Sequence, residues 1–168
     1  MKKLLLIIFV LLLANTVTYG KGIDAYGKGI DAYGKGIDAY MQLLRYKDAR
    51  TQKEVVITEV MQLTDKESSV FWPVYREYEL EFNKLIDYRV ELIKEFLINY
   101  DILTDEKASE LVKKVFKLEK TKIKLQKKYF KKFKKALSAT IAAKFMQLEK
   151  QINLLIDLQI YSELPFIK

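Results

Sequence analysis

The chain has 168 residues, 50% hydrophobic and 31% charged, with a net charge of +8 at pH 7. That balance supports a single domain with its own core and speaks against a chain disordered throughout. It has no cysteine and no histidine, which removes thiolate and imidazole metal ligands, Cys and His nucleophiles, every Ser-His-Asp arrangement and a cysteine-linked lipid anchor.

At the amino terminus Lys2 and Lys3 precede the apolar run LLLIIFVLLLA at 4–14, followed by NTVTYG. A basic flank, a short apolar run and small residues are the layout of a secretory signal peptide, with Thr18 and Gly20 at the −3 and −1 positions of a cleavage site. The run falls short of the ~20 residues that span a bilayer, and an uncleaved anchor is the alternative. The expectation is a signal peptide over 1–20 and a periplasmic or otherwise exported chain without a lipid anchor.

The heptapeptide GKGIDAY then occurs at 20–26, 27–33 and 34–40, and holds all six glycines of the protein. Two glycines in each copy disfavour a helix, so 21–40 reads as a flexible tether. The spacing from Gly22 to Gly29 imitates a phosphate-binding loop, but no Ser or Thr follows Lys28 and the repeat itself creates the pattern. No nucleotide site is expected.

Residues 41–168 contain no glycine and only two prolines, Pro73 and Pro165. Few tight turns or strand bulges are possible without glycine, and the spacing predicts an all-α domain of about four helices. A first helix over 47–62 points Val55, Val56, Val60 and Leu63 to the core. Thr64 and Glu67 form a capping box, T-D-K-E, for a second helix over 65–98. Its apolar stripe is Phe71, Tyr75, Tyr78, Phe82, Leu85, Leu92 and Phe96, with Arg89 as a polar intruder, and Pro73 predicts a kink or a broken first turn. Thr104 caps a third helix over 105–137. Ser138 caps a fourth, with Ile141, Phe145, Leu148, Ile152 and Leu155 on one face, and Pro165 ends it. Acidic residues outnumber basic ones eight to five over 65–98, against four to thirteen over 105–135. A short link at 99–103 would let these two helices form a long antiparallel hairpin with complementary charge.

The third helix carries lysines at 113, 117, 120, 124, 127, 131 and 134. Steps of four and three place them on one face. Two apolar rows accompany them: Val112, Phe116, Ile123, Phe130 and Leu137, and Leu111, Val115, Leu118, Leu125 and Tyr129. Both are expected to be buried. The lysine face is either a solvated surface or a surface for an acidic or mixed polar and apolar ligand. For the second case the candidate residues are Lys113, Lys117, Lys120, Lys124, Lys127 and Lys131.

The pairs L-T-x-x-E at Leu63–Glu67 and L-T-x-x-K at Leu103–Lys107, each opening a long helix, resemble the two L-T-x-x-Q motifs of the Spy/CpxP family of periplasmic chaperones and stress modulators. Glu67 and Lys107 stand where that family has glutamine. FWPVYREYE at 71–79 and AAKFMQLEKQINLLIDLQIYSELPFI at 142–167 look like a bacterial exported subgroup, and the resemblance covers about 41–168. It marks Leu63, Thr64, Glu67, Leu103 and Thr104 as motif and cap residues. It implies an antiparallel homodimer shaped as a shallow cradle, whose basic, partly apolar face holds unfolded clients without ATP. Some relatives bind metals, commonly through histidine, which this chain lacks. Glu77 and Glu81 are therefore read as surface salt-bridge partners, and no metal or other cofactor is expected.

The leading functional expectation is an ATP-independent holdase or envelope-stress protein. Two alternatives stay open: an adaptor packing on a dedicated envelope partner, and a cationic binder of anionic lipid or lipopolysaccharide. Export argues against a specific nucleic-acid partner, although lysines bind phosphates non-specifically. An enzyme is not expected, because thin helical hairpins rarely enclose a catalytic pocket.

Overall fold

The computed structural model describes residues 47–167. The signal peptide expected over 1–20 and the repeats at 21–40 lie outside the described residues. The chain is all-α: α1 is Lys47–Met61, α2 Asp65–Asn99, α3 Asp105–Ala136 and α4 Ala139–Glu163, with a 3-10 turn at Tyr100–Ile102 between α2 and α3. No strand occurs among the described residues.

Each helix start has a local cause. At α2, Glu67 N–H donates to Thr64 Oγ1 at 3.3 Å and Thr64 N–H donates to Glu67 Oε2 at 2.9 Å, closing the capping box reciprocally. The Thr64 N–H, and then the Thr64 hydroxyl, which donates to the same Oε2 at 2.9 Å, hold the Glu67 carboxyl below its usual range. Thr104 accepts from Lys107 N–H at 3.3 Å, and Ser138 Oγ accepts from Ile141 N–H at 3.1 Å. Helix α1 ends at Gln62, which takes a left-handed φ of 49° in a chain segment without glycine. From α4, Lys144 Nζ donates to the Met61 carbonyl at 3.0 Å and satisfies one orphan acceptor of that end. Pro73 breaks no turn: α2 runs through it without interruption, and its side chain is exposed.

Helices α2 and α3 form the expected antiparallel hairpin. Glu77 meets Lys132, Glu81 meets Lys128 and Glu95 meets Lys114. Four residues forward on α2 match four back on α3, and fourteen forward match fourteen back, so one register holds along the hairpin. Glu77 and Glu81 are thus surface salt-bridge partners, as expected. Helix α4 returns along α3, and α1 packs on α4.

An aromatic cluster joins α2, α3 and α4 near the α3–α4 turn. Phe145 lies 4.7 Å from Phe133, 5.3 Å from Phe71 and 5.7 Å from Tyr78 between ring centroids. All four rings are fully buried, and the Phe145 contacts with Phe71 and Tyr78 are edge-on, a geometry that adds about 0.5–1.5 kcal/mol per pair beyond area burial. In α2, the apolar stripe buries Phe71, Tyr75, Tyr78, Phe82 and Leu92, together with Val90, while Leu85 and Phe96 are half-buried. Arg89 pairs with Asp157 of α4.

Helix α1 departs from expectation. Val55 is 52% exposed, and the core residues are Val56, Ile57 and Met61, with Val60 and Leu63 half-buried. In a run of three adjacent apolar residues the helical period admits more than one inward face. Met61, four residues after Ile57, selects the one used.

Candidate functional site: the outer face of α3

The outer face of α3 is defined by which lysines find partners. Lys107 and Lys114 both reach Glu95, Lys128 reaches Glu81, and Lys132 reaches Glu77, so this row is answered by α2. Lys122 lies 4.0 Å from Asp157 of α4. The six candidates Lys113, Lys117, Lys120, Lys124, Lys127 and Lys131 are all exposed, as is Lys134. Among the described residues no carboxylate lies within ion-pair distance of any of them. Internal neutralisation therefore uses a different row of lysines and leaves the predicted stripe uncompensated.

The paired groups titrate accordingly. The Glu95 carboxyl is held below its usual range by hydrogen bonds from Lys107 and Lys114, and Glu81 by Lys128 and then the Tyr129 hydroxyl. The Lys114 ammonium is pushed up by Glu110 and Glu95.

The apolar rows correct the sequence reading. Leu111, Leu118, Leu125 and Tyr129 are buried, joined by Phe133. Of the other row, Val112 is 43% exposed, Phe116 69% and Ile123 49%, while Phe130 and Leu137 are half-buried; Val115 also reaches solvent. Both rows repeat at heptad spacing, so periodicity alone could not choose between them. The inward row is the one that carries Tyr129 and Phe133 into the aromatic cluster with α2 and α4, and the 112–116–123 row lies about 100–140° round the helix from it.

The result is a composite strip. Phe116 has Lys113 and Lys120 as its i−3 and i+4 neighbours, and Ile123 has Lys120 and Lys127 as its own, so each exposed apolar side chain is flanked by uncompensated cations. The lysine row covers 18 residue steps from 113 to 131, about 27 Å of helix.

The motif residues have structural roles. Thr64 and Thr104 cap α2 and α3, Glu67 completes the box, and Leu63 and Leu103 are half-buried beside them. The antiparallel hairpin places the two motifs at opposite ends.

Three buried polar residues among those described, Glu79, Glu149 and Asn153, were missed from sequence. Glu149 is fully buried and its Oε1 accepts from Lys53 Nζ at 2.9 Å, Tyr78 Oη at 3.0 Å and Asn153 Nδ2 at 3.1 Å. Its Oε2 has no hydrogen-bond partner among the described residues. The signal was present: Glu149 lies four residues after Phe145 and one after Leu148, inside an apolar face. Glu79, also buried, accepts from the Tyr75 hydroxyl at 3.1 Å. Burial first, then the charges of Glu79 and Glu149 at Tyr75 and of Glu149 at Tyr78, push the two hydroxyls far up, so both remain donors.

Among the described residues there is no group of three or more carboxylates placed to hold a metal. Nor is any helix there long and apolar enough to cross a membrane. A shallow groove beside α1, lined by Glu54, Val55, Thr58, Glu59 and Trp72, is open to solvent.

Fold and face together define a class: an all-α protein built on a long antiparallel hairpin, with one amphipathic, cationic outer strip. No protein-family model, curated protein or solved structure matches the chain.

Proposed function

We propose that the chain is an exported, ATP-independent chaperone-like or envelope-stress protein that holds unfolded clients on the outer face of α3. The observation that carries this reading is the coincidence of six uncompensated lysines with the exposed side chains of Val112, Phe116 and Ile123 on one strip. Uncompensated cations attract acidic client segments over roughly a Debye length and raise encounter rates. Exposed apolar side chains then shield the client's own apolar surface. Contacts that are individually weak and spread along a helix release a client without an energy source. A homodimeric cradle, implied by the Spy/CpxP resemblance, belongs to the same proposal.

The test is aggregation of several denatured model proteins, followed by light scattering without ATP, with and without the mature chain. Suppression of unrelated clients, weakened by salt, supports the holdase. No suppression of any client overturns it and favours an adaptor with one dedicated partner. The lysine strip also supports a second reading, attraction to an anionic membrane surface. Co-sedimentation with anionic vesicles, lost as salt rises, separates that reading from the first.

A further inference from the structure

We infer that the preferred occupant of the α3 strip is an acidic amphipathic helix, docked along the seam of Val112, Phe116 and Ile123 with its carboxylates toward Lys113, Lys120 and Lys127. The inference rests on the client-holding reading of this face and specifies the form the bound segment takes.

The seam has the grammar of one side of a coiled coil. Phe116, Ile123 and Phe130 are seven residues apart; Val112 precedes Phe116 by four, and Glu119 and Gln126 fall between the three at steps of three and four. These are alternating core positions of a heptad. Lys113, Lys120 and Lys127, also seven apart, immediately flank that seam, where charge sets the choice of partner. The chain leaves the 112–123 part of this seam open, with Phe116 69% exposed and Ile123 49%, while Gln126 and Phe130 at its far end are half-buried. A knob needs a facing hole, and a second helix laid along α3 supplies one.

Charge complementarity selects the occupant. A second copy pairing through the same strip would bring lysine against lysine along the whole seam, which is repulsive. A helix bearing Glu or Asp at its flanking positions meets the three lysines in turn. Glu119 and Gln126, both within the seam, call for a basic or amide side chain opposite them, so a helix of uniform acidity fits less well than a patterned one. The lysine row sets the length: about 27 Å, or roughly 18 residues of partner helix. Peptides of this size are marginally helical alone, so docking and helix formation are coupled.

The test uses the chain without residues 1–20 and three labelled synthetic peptides of 18 residues. One repeats leucines at heptad core positions with glutamates on the flank. One has the same composition scrambled so that acidic and apolar faces no longer separate. One carries a central proline, which preserves charge but blocks the helix. Anisotropy is expected to show the patterned peptide binding at least tenfold more tightly than the other two, with a gain in helical circular dichroism on mixing. The double variant Phe116→Ser/Ile123→Ser, both at exposed positions, is expected to lose at least tenfold in that affinity while keeping its helicity. Leu80→Ser, an exposed position on α2 (64%), is expected to lose none.

Equal binding of all three peptides overturns the helix inference, and with intact suppression of aggregation it leaves the holdase standing. Full affinity in the double variant also overturns it. Selective binding of the patterned peptide without suppression of aggregation supports the docking seam and overturns the general holdase instead.

Discussion

Lys53 and Glu149, 96 residues apart in the chain, meet inside the bundle with Nζ 2.9 Å from Oε1 of a fully buried carboxylate. The pair fastens α1 to α4, and Tyr78 and Asn153 donate to the same oxygen. Removing Lys53 leaves a buried charge without its counter-ion, which costs about 3–5 kcal/mol in comparable sites. Lys53→Met is therefore expected to destabilise strongly. Glu149→Gln keeps an acceptor for Tyr78 and lets the partly exposed Lys53 find water, so it costs less. Adding Glu149→Gln to Lys53→Met should recover stability. A urea double-mutant cycle measures this, and strictly additive losses would contradict the pairing.

Stability is expected to form a plateau between mildly acidic and mildly alkaline pH. Glu81, Glu95 and Glu110 have carboxyls held below their ordinary 4.5 in the folded chain. The unfolded chain then binds more protons as pH falls, so their stabilisation is complete above 4.5 and lost as pH drops below it. At the other end, burial raises the Tyr75, Tyr78 and Tyr129 hydroxyls above their ordinary 10.0. Their contribution is complete below 10.0 and lost as pH rises past it, when the unfolded chain ionises first. Urea midpoints across pH should fall at both ends. Glu95→Gln should flatten the acid limb, and an unchanged limb would remove Glu95 from the account.

Gln62 closes α1 in the left-handed region, with its N–H donating to the Thr58 carbonyl at 3.2 Å. A residue with a Cβ pays about 1 kcal/mol or more there, and glycine does not. Gln62→Gly loosens the unfolded chain but relieves that cost. The net expectation is stabilisation by about 0.5–1 kcal/mol, read as a higher thermal midpoint at unchanged helicity. A lower midpoint would mean that the Gln62 side chain makes a compensating contact.

The helix starts were legible because each is written locally: Thr64 with Glu67, Thr104 and Ser138 act through hydrogen bonds to residues three positions away. The α2 stripe was legible because one row, Phe71 to Phe96, stands out from polar neighbours. Legibility failed where two apolar rows competed. In α1 the run Val55–Val56–Ile57, and in α3 the rows led by Leu111 and Val112, share the same period. Only the neighbouring helices choose the inward face. The buried Glu149 was hidden for a related reason: its partners Lys53 and Tyr78 come from distant chain segments, and no local rule joins them. The six candidate lysines were legible as a row. Their lack of carboxylate partners among the described residues depends on the register of the hairpin, which the sequence does not spell out.

The exchange of inward faces on α3 gives the sharpest contrast between two neighbouring residues. Leu118 is 6% exposed and Phe116, two residues earlier, is 69% exposed. Leu118→Ala removes buried methyl groups and leaves a cavity beside α3, at a cost of about 2–5 kcal/mol. Phe116→Ala removes a larger side chain from solvent-facing surface, and its effect is expected to stay within about 0.5 kcal/mol. Were the Val112–Phe116–Ile123 row the core, the order would reverse, with Phe116→Ala costing about 3–5 kcal/mol. Chemical denaturation of the two single variants decides between these orders. The same Phe116→Ala protein, still folded, then serves in the client assay: suppression of aggregation should weaken while stability does not. A loss of both together would return Phe116 to the core and remove the apolar half of the proposed strip.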